Sequence, residues 1–418
     1  MTSDFSWLDY SARDQRLMLE LIDQIREPGT LDELGLGTIR DGFADYLFPG
    51  VSTLQTRARY LLFIPWIFRQ LEDDRQVSSA VIGRLSRDRQ ADLVDALENG
   101  NESEGVIGIS ARRRLRRPPA DIYWGALGQY GIRRYPGSLG AYFAWIDRWR
   151  EGHVRFRQTR RGDGGELVDV SEPNWHALPN RPSDLLTEAT FALSSEEARF
   201  LGERILLSCP GSLLAYCLRN RDVTLQAIER PADIPGLDGE LASVARESGN
   251  FARVLRGAML LYNLMLAEQR HEDADPNAAS RAQDADRIER FRARLGEWAA
   301  LEISPRLGEL RTWLSSGTFR AMVPMIASRS GQAADFANDW ISIALVDPSV
   351  LADNPAARAA VSHRERRVKR LRSRFANATA LANWSGGSGT GEMTYRWTNA
   401  RLLLTDIAAG IAQERVGG

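Results

Sequence analysis

Two carboxylate pairs have the residue types and the spacing that a metal-dependent nuclease needs. Asp41 and Asp45 lie four residues apart, as do Asp335 and Asp339, and on a helix each pair shares one face. Two such carboxylates could hold Mg²⁺ for phosphodiester cleavage. The same spacing is common on solvated helices, and Lys369, the only lysine, cannot supply the lysine that follows an acid in familiar nucleases. A metal-dependent nuclease is therefore an alternative function and not the first one.

A glycine-rich segment late in the chain has the glycine spacing of a phosphate-binding P-loop. Its residues are Gly386-Gly387-Ser388-Gly389-Thr390-Gly391-Glu392-Met393-Thr394. Glu392 stands where that loop needs a lysine, and a carboxylate repels the phosphates that a lysine attracts. We predict that the segment binds no nucleoside triphosphate and forms a turn, with Tyr395 and Trp397 as apolar anchors for the last helix.

Histidines and cysteines form no metal-binding pattern in this sequence. The four histidines, which are not paired at a ligand spacing, are His153, His176, His271 and His363. Cys209 and Cys217 are the only cysteines, and we interpret both as buried thiols. The sequence predicts no metal site, no cofactor and no catalytic residue.

The segment from Gly105 to Arg161 combines arginines with aromatic residues. It contains thirteen arginines against three acidic residues, although the net charge of the whole chain is -1. Arginines can neutralise phosphates while aromatic rings stack on unpaired bases. The side chains assigned here to a nucleic-acid interface are Arg112, Arg113, Arg114, Arg116, Arg117, Tyr123, Trp124, Arg133 and Arg134. In the alternative, the rings belong to the core and the arginines form a solvated rim or contact an acidic partner protein.

A second basic segment extends from Arg364 to Arg374, and Glu365 is its only acidic residue. An apolar stripe at helical spacing is formed by Val361, Val368, Leu371 and Phe375. This stripe predicts a helix that buries its apolar side and leaves the basic side chains on the other face. Arg367 and Arg370 are therefore added to the candidate interface.

The elements that must position these residues are helices. Apolar residues recur at helical spacing along most of the chain, so the predicted fold is mainly α. We predict an N-terminal helical domain at 1–162, a linker loop at 163–184 and a C-terminal helical domain at 185–418. Helices that begin near Asp121 and Ser138 are compatible with a helix-turn-helix, and His153 to Thr159 could supply a short strand or wing.

Two further expectations concern single segments. Arg57 and Arg59 precede the apolar run Tyr60 to Phe68, and we predict that one of them is partly buried and paired with an acid such as Asp41 or Asp45. The polar and acidic stretch from 271 to 286 is predicted to be a surface connection or partly disordered.

Length and composition exclude several classes of protein. The 418 residues are 43% apolar and 26% charged, as in globular proteins and not in disordered or collagen-like chains. The longest apolar run falls far short of the roughly 20 residues that cross a bilayer, and the first residues lack the pattern of a secretory signal. We expect a cytoplasmic protein with no membrane partner.

Several short motifs together resemble a bacterial family that carries only a domain-of-unknown-function label. The motifs are Phe5-Ser6-Trp7-Leu8-Asp9-Tyr10-Ser11, Leu36-Gly37-Thr38-Ile39-Arg40-Asp41, Leu47-Phe48-Pro49-Gly50, Gln55-Thr56-Arg57-Ala58-Arg59-Tyr60, Ile122-Tyr123-Trp124, Gly131-Ile132-Arg133, Ser388-Gly389-Thr390-Gly391 and Tyr395-Arg396-Trp397. Members look like genes of prokaryotic antiviral defence clusters, beside helicases and phospholipase-D-like nucleases. The resemblance implies no catalytic residues.

The first interpretation is therefore a non-catalytic nucleic-acid-binding or assembly component of a bacterial antiviral defence system. DNA or RNA is the expected partner, together with other defence proteins such as a helicase or nuclease. A metal-dependent nuclease and a protein-only scaffold that binds acidic subunits are the alternatives. Salt-dependent binding to short DNA distinguishes the first interpretation from the scaffold, and magnesium-dependent cleavage identifies the nuclease.

Overall fold

The computed structural model describes residues 32–159, 173–220, 225–275, 279–328 and 331–413. The mainly helical fold is confirmed: within these residues there is no β-strand, only an isolated bridge between Arg133 and Trp175. The α-helices of this part of the chain are α1 (Gly37–Leu47), α2 (Tyr60–Asp73), α3 (Ser79–Asn99), α4 (Pro119–Gln129), α5 (Leu139–Thr159), α6 (Ser195–Ser208), α7 (Leu213–Arg219), α8 (Gly239–Asp273), α9 (Ala279–Glu297), α10 (Leu307–Ser316), α11 (Thr318–Ile326), α12 (Gly331–Ala344), α13 (Pro355–Lys369), α14 (Ala378–Ala382) and α15 (Trp397–Gln413).

Two compact units are distinguished by the packing within each of them. Unit 1 combines Met1–Phe43 with Ala242–Tyr395, and unit 2 combines Ala44–Leu241 with Arg396–Gly418. These units are discontinuous in sequence and do not follow the predicted division at 163–184, of which residues 163–172 lie outside the described part. The predicted linker therefore stays a prediction.

The core of unit 2 is organised around α2, whose first nine residues, Tyr60 to Phe68, are all buried. A helix that is apolar on every side must be covered on every side, and α3 and α4 both pack on it. Pro65 lies inside α2, and the helix runs through it. An aromatic cluster of Phe68, Trp124, Tyr142 and Trp175 extends this core, with neighbouring ring centroids 5.4 to 6.1 Å apart.

The core of unit 1 is built on α8, most of whose residues between Phe251 and Ala267 are buried. Gly257 of this helix lies so close to the Trp298 indole that a Cβ atom would collide with the ring. The expected surface connection at 271–286 is wrong for most of its length, because α8 continues to Asp273 and α9 begins at Ala279. Arg270 and Arg287 both pair with the fully buried Asp284, so this polar stretch is stabilised by internal ion pairs.

The predicted strand or wing at His153 to Thr159 is also wrong. These residues form the end of α5, which begins at Leu139. The alternation of residue types there is too short to override the helix that precedes it. The two predicted helices on either side of residues 130–138 are present as α4 and α5, and the helix-turn-helix stays a prediction. None of the described helices is long and apolar enough to cross a membrane.

Candidate nucleic-acid interface

The first basic segment begins in a 3₁₀ turn, Arg112–Arg114, that packs on α3 of unit 2. Helix α3 presents a row of acidic residues to this turn. Arg112 forms ion pairs with Asp95 and Glu98. Arg113 lies 3.3 Å from Asp88 and 3.0 Å from Asp92. The charges of both arginines are therefore neutralised within the protein, and a phosphate would have to compete with carboxylates already in place.

The arginines that follow differ in exposure. Arg114 and Arg116 are exposed and have no ion pair with a described residue, whereas Arg117 is half-buried. Burial raises the pKa of the nearby Asp121, and Arg87 and Arg117 act against that shift. Only Arg114 and Arg116 of this turn thus present guanidinium groups that are free of described acids.

The aromatic part of the predicted interface lies in the core. Tyr123 is fully buried, and its hydroxyl accepts hydrogen bonds from the backbone N–H groups of Thr56 and Arg57. Trp124 is also buried, and its indole N–H donates to the carbonyl of Gly137 at 3.0 Å. A base needs a free ring face for stacking, so the assignment of Tyr123 and Trp124 to a base-stacking surface is wrong.

Arg133 has a structural position beside these rings. Its guanidinium carbon lies 4.6 Å from the Trp124 ring centroid, and it donates to the Trp124 and Gly137 carbonyls. Burial lowers the pKa of Arg133. Arg134, in contrast, is exposed, and its backbone N–H donates to the carbonyl of Asn174.

The second basic segment lies in unit 1, at the end of α13, and three of its basic side chains point inward. Arg364 is buried and donates to the carbonyls of Leu34, Gln332 and Gly35. The other two belong to a cluster that we call the ionic network, formed by Glu33, Tyr262, Glu365, Lys369 and Arg374.

The acidic side chains of this network are nearly closed to solvent. Glu33 is 4% exposed and Glu365 fully buried. Lys369 pairs with both glutamates, Arg374 pairs with Glu33 at 2.7 Å, and the Arg374 backbone N–H donates to Glu365 at 2.8 Å. The chain's single lysine is thus part of the core and cannot serve a phosphate loop.

Four other arginines of the segment point outward, and we call them the arginine patch. They are Arg366, Arg367, Arg370 and Arg372. All four are exposed, and none has an ion pair with any residue that the structure describes. Arg366 makes one long hydrogen bond of 3.5 Å to the Phe375 carbonyl. Glu365, the only acid of the segment, is buried, so the segment itself offers the patch no exposed acidic side chain.

The apolar stripe predicted for this segment is only half correct. Val361 and Phe375 are buried, but Val368 is 38% and Leu371 is 91% exposed. Helix α13 ends at Lys369, and Arg370 takes a positive φ of 51° as it enters the 3₁₀ turn Arg370–Arg372. The helical spacing does not continue past this change of backbone direction, which places Leu371 in solvent.

The two carboxylate pairs of the nuclease alternative differ in their surroundings. Asp41 pairs with Arg40, and Asp45 pairs with Arg396. Asp335 and Asp339 are both exposed on α12. No group of three or more histidine, cysteine, aspartate or glutamate side chains that could hold a metal ion occurs among the described residues.

The thiols are buried as expected. Burial raises the pKa of Cys209 and brings that of Cys217 to about 12. A thiol with such a pKa is protonated at neutral pH and a poor nucleophile.

The glycine-rich segment packs against α8 within unit 1. The backbone N–H of Ser388 donates to the Asn263 side chain, which donates back to the Ser388 carbonyl. Gly386 and Gly389 adopt φ values of 91° and 65°, which favour glycine. Tyr395 and Trp397 are buried, as expected of anchors.

Arg57 and Arg59 are paired as predicted, but with other acids. Arg57 contacts Asp406 through two nitrogens, at 2.9 and 3.0 Å. Arg59 lies 2.8 Å from Glu197, a residue that is 4% exposed. The prediction of partly buried pairs is confirmed, and the choice of Asp41 or Asp45 as partner is wrong.

The chain belongs to a family of unknown function (DUF6361), whose match covers residues 2–410. This membership confirms that the sequence motifs belong to a family of unknown function. No curated protein and no solved structure matches the chain.

Proposed function

We propose that this protein is a non-catalytic nucleic-acid-binding component of a bacterial antiviral defence system and that the arginine patch of unit 1 contacts phosphates. The observation that carries the proposal is the patch itself: four exposed arginines without an ion pair to a described residue. Clustered surface charge of one sign is the electrostatic requirement for binding a polyanion.

Arginine suits this role better than a generic cation does. Its planar guanidinium donates two parallel hydrogen bonds to a phosphate. Burial lowers the pKa of the neighbouring Arg364, Asp32 acts against that shift, and the positive charge of Arg367 adds to it. A phosphate beside Arg367 would relieve this repulsion between like charges.

The helix dipole offers a structural explanation for the position of part of the patch, one that involves no ligand. Arg366 and Arg367 lie in the last turn of α13, where cations interact favourably with the helix dipole. That interaction requires no partner and contributes on the order of 0.3 to 1 kcal/mol on an exposed surface. It does not explain Arg372, which follows the helix.

The defence context rests on the sequence resemblance, and a helicase or nuclease of the same system is the expected protein partner. The nuclease alternative has less support: Asp41 and Asp45 are each paired with an arginine, and the exposed pair Asp335 and Asp339 belongs to no group of three or more possible metal ligands among the described residues. The scaffold alternative differs in its ligand, an acidic protein surface in place of phosphates.

The test is a titration of the full chain with short duplex DNA, single-stranded DNA and RNA at several salt concentrations. We expect binding that weakens steeply with salt. The variant Arg366→Ala, Arg367→Ala, Arg370→Ala, Arg372→Ala should lower the slope of log K against log salt by about 0.9 for each phosphate that is no longer neutralised. Absence of binding to all three ligands at low salt would contradict the proposal, and cleavage that requires Mg²⁺ would favour the nuclease.

A further inference from the structure

Leu371 is an exposed apolar side chain in the middle of the arginine patch. It is 91% exposed, more than any other large hydrophobic residue of the described chain. Arg370 precedes it and Arg372 follows it, and both are exposed. A single exposed leucine is ordinary on a protein surface, so its exposure alone does not indicate a function. The anchoring of the turn is the second observation.

The residues on both sides of the turn are anchored in the core of unit 1. Lys369 and Arg374 belong to the ionic network, and Ser373, which is fully buried, donates its hydroxyl to Glu365. The Asn377 side chain donates to the Leu371 carbonyl at 3.0 Å. Between the anchored residues Lys369 and Ser373, the three residues 370 to 372 are all exposed.

The backbone of the turn is also unusual. Arg370 has φ 51° and ψ −119°, a region that a residue with a Cβ rarely occupies. This conformation persists because the flanking residues are anchored on both sides. The fold thus exposes an apolar side chain whose two neighbours in sequence are exposed arginines.

We propose that Leu371 is a wedge that inserts between stacked base pairs of duplex nucleic acid while Arg370 and Arg372 contact the flanking phosphates or the minor groove. Apolar side chains used in this way partly unstack a base step, and neighbouring arginines enter the narrow groove. A short turn, unlike a helix, is compatible with the minor groove, which is about 6 Å wide. This inference rests on the proposed function and specifies how the site binds.

Charge favours nucleic acid over other occupants of this surface. Among residues 363–376 no acidic side chain is exposed, which matches a phosphate backbone on both sides of the leucine. One leucine is too little apolar surface for stable attachment to a membrane, which takes more than a single acyl chain. An acidic protein with a pocket for the leucine is the remaining competitor, and the experiment distinguishes it.

The experiment uses duplex DNA and duplex RNA that carry 2-aminopurine, whose fluorescence rises when the base is unstacked. The full chain should raise the fluorescence of the DNA duplex, whose narrow minor groove fits the turn, and a rise confined to the RNA duplex, whose minor groove is wide and shallow, would contradict the proposal. Leu371→Ala should abolish the rise and weaken binding roughly tenfold, as expected when a leucine buried in a complex is truncated, while the salt slope stays unchanged. Leu371→Met should retain the rise.

Two matched variants separate this inference from the proposed function. Leu301→Ala removes another leucine of unit 1 that is 72% exposed, and it should change neither affinity nor fluorescence. Arg367→Ala should reduce the salt slope while the fluorescence rise persists at saturation. If Leu371→Ala and the parent protein bind with the same affinity and the same salt slope, and neither raises the fluorescence, then the wedge is wrong and the proposed function stands. No binding to any duplex would overturn the wedge, and absence of binding to single-stranded DNA and RNA as well, with or without binding to anionic vesicles or an acidic protein, would overturn the proposed function too.

Discussion

The two basic segments of this protein are both rich in arginine, but their arginines have different electrostatic environments. In unit 2, Arg112 and Arg113 are paired with acidic residues of α3. In unit 1, the basic side chains divide between a buried ionic network and an exposed patch without described acidic partners. The density of arginine in a sequence segment therefore does not predict the positive charge available to a ligand, because acidic side chains of another element can neutralise the arginines.

The ion pairs of the two segments also differ in their burial. The pairs of Arg112 and Arg113 lie on the surface, where solvent and salt weaken them. Those of Glu33 and Glu365 are buried, where an unpaired charge is costly. We therefore expect the unit 1 network to matter for stability and the unit 2 pairs to matter for what the surface can bind.

The largest expected effect follows from removing Glu365. Glu365→Ala leaves Lys369 short of one carboxylate and deprives the Ser373 hydroxyl and the Arg374 N–H of their acceptor. The free energy of unfolding should fall by about 3 to 5 kcal/mol, as for other broken buried pairs. Urea denaturation followed by tryptophan fluorescence measures it.

Asp92→Ala on α3 is the control for this prediction. Asp92 lies 3.0 Å from Arg113, a side chain that is 62% exposed, and its removal should cost under about 1 kcal/mol. Equal decreases of stability in the two variants would show that the buried and surface networks do not differ in this way.

A smaller effect is expected from pH, with opposite signs for two buried glutamates. Burial acts to raise the pKa of Glu33, but Lys369 and Arg374 outweigh it and hold this pKa below the ordinary 4.5. The stability that Glu33 contributes is present above pH 4.5 and is lost as pH falls through the lowered pKa.

Glu72 of unit 2 behaves in the other direction. Burial raises its pKa above 4.5, against hydrogen bonds from Tyr142, Trp175 and Asn174. Because the folded state binds this proton more tightly, stability should fall as pH rises from 4.5 through the raised pKa. Unfolding free energies of Glu33→Gln and Glu72→Gln, measured from acidic to neutral pH, check both signs. The prediction fails if both variants change the pH dependence in the same direction.

The smallest expected effect concerns the acidic row of α3. Replacing Asp88, Asp92 and Asp95 by Asn and Glu98 by Gln removes the described partners of Arg112 and Arg113. The freed arginines can then bind phosphates themselves, so this variant should bind DNA more tightly, with a salt slope steeper by up to about 0.9 for each of the two arginines. An unchanged affinity and slope would mean that neutralisation by α3 does not limit binding at this turn.

Much of the fold can be predicted from the sequence because helical periodicity is local. Apolar residues at helical spacing predict a mainly α fold, and the apolar run Tyr60 to Phe68 and the apolar part of α8 both lie in buried helices. The wing predicted at His153 to Thr159 is wrong because a few alternating residues carry less information than the long helix they end.

The interface can be predicted only in part, for a different physical reason. Charge density points to Arg367 and Arg370, and both are exposed. The burial of Tyr123 and the pairing of Arg113 depend on residues far along the chain, which spacing does not encode. The spacing of Leu371 continues the stripe of α13 and predicts a buried side chain, and nothing in that spacing indicates that the helix stops at Lys369.

We propose that the arginine patch of unit 1 binds phosphates and that the first arginine turn of unit 2 does not. The most direct test compares two variants that each remove two positive charges, Arg367→Ala with Arg370→Ala and Arg112→Ala with Arg113→Ala. Duplex DNA affinity is measured at several salt concentrations. The first variant should lower the salt slope by about 1.8, at about 0.9 per phosphate, and the second should leave it unchanged. Equal slopes for the two variants, or a decrease confined to the second, would contradict the account.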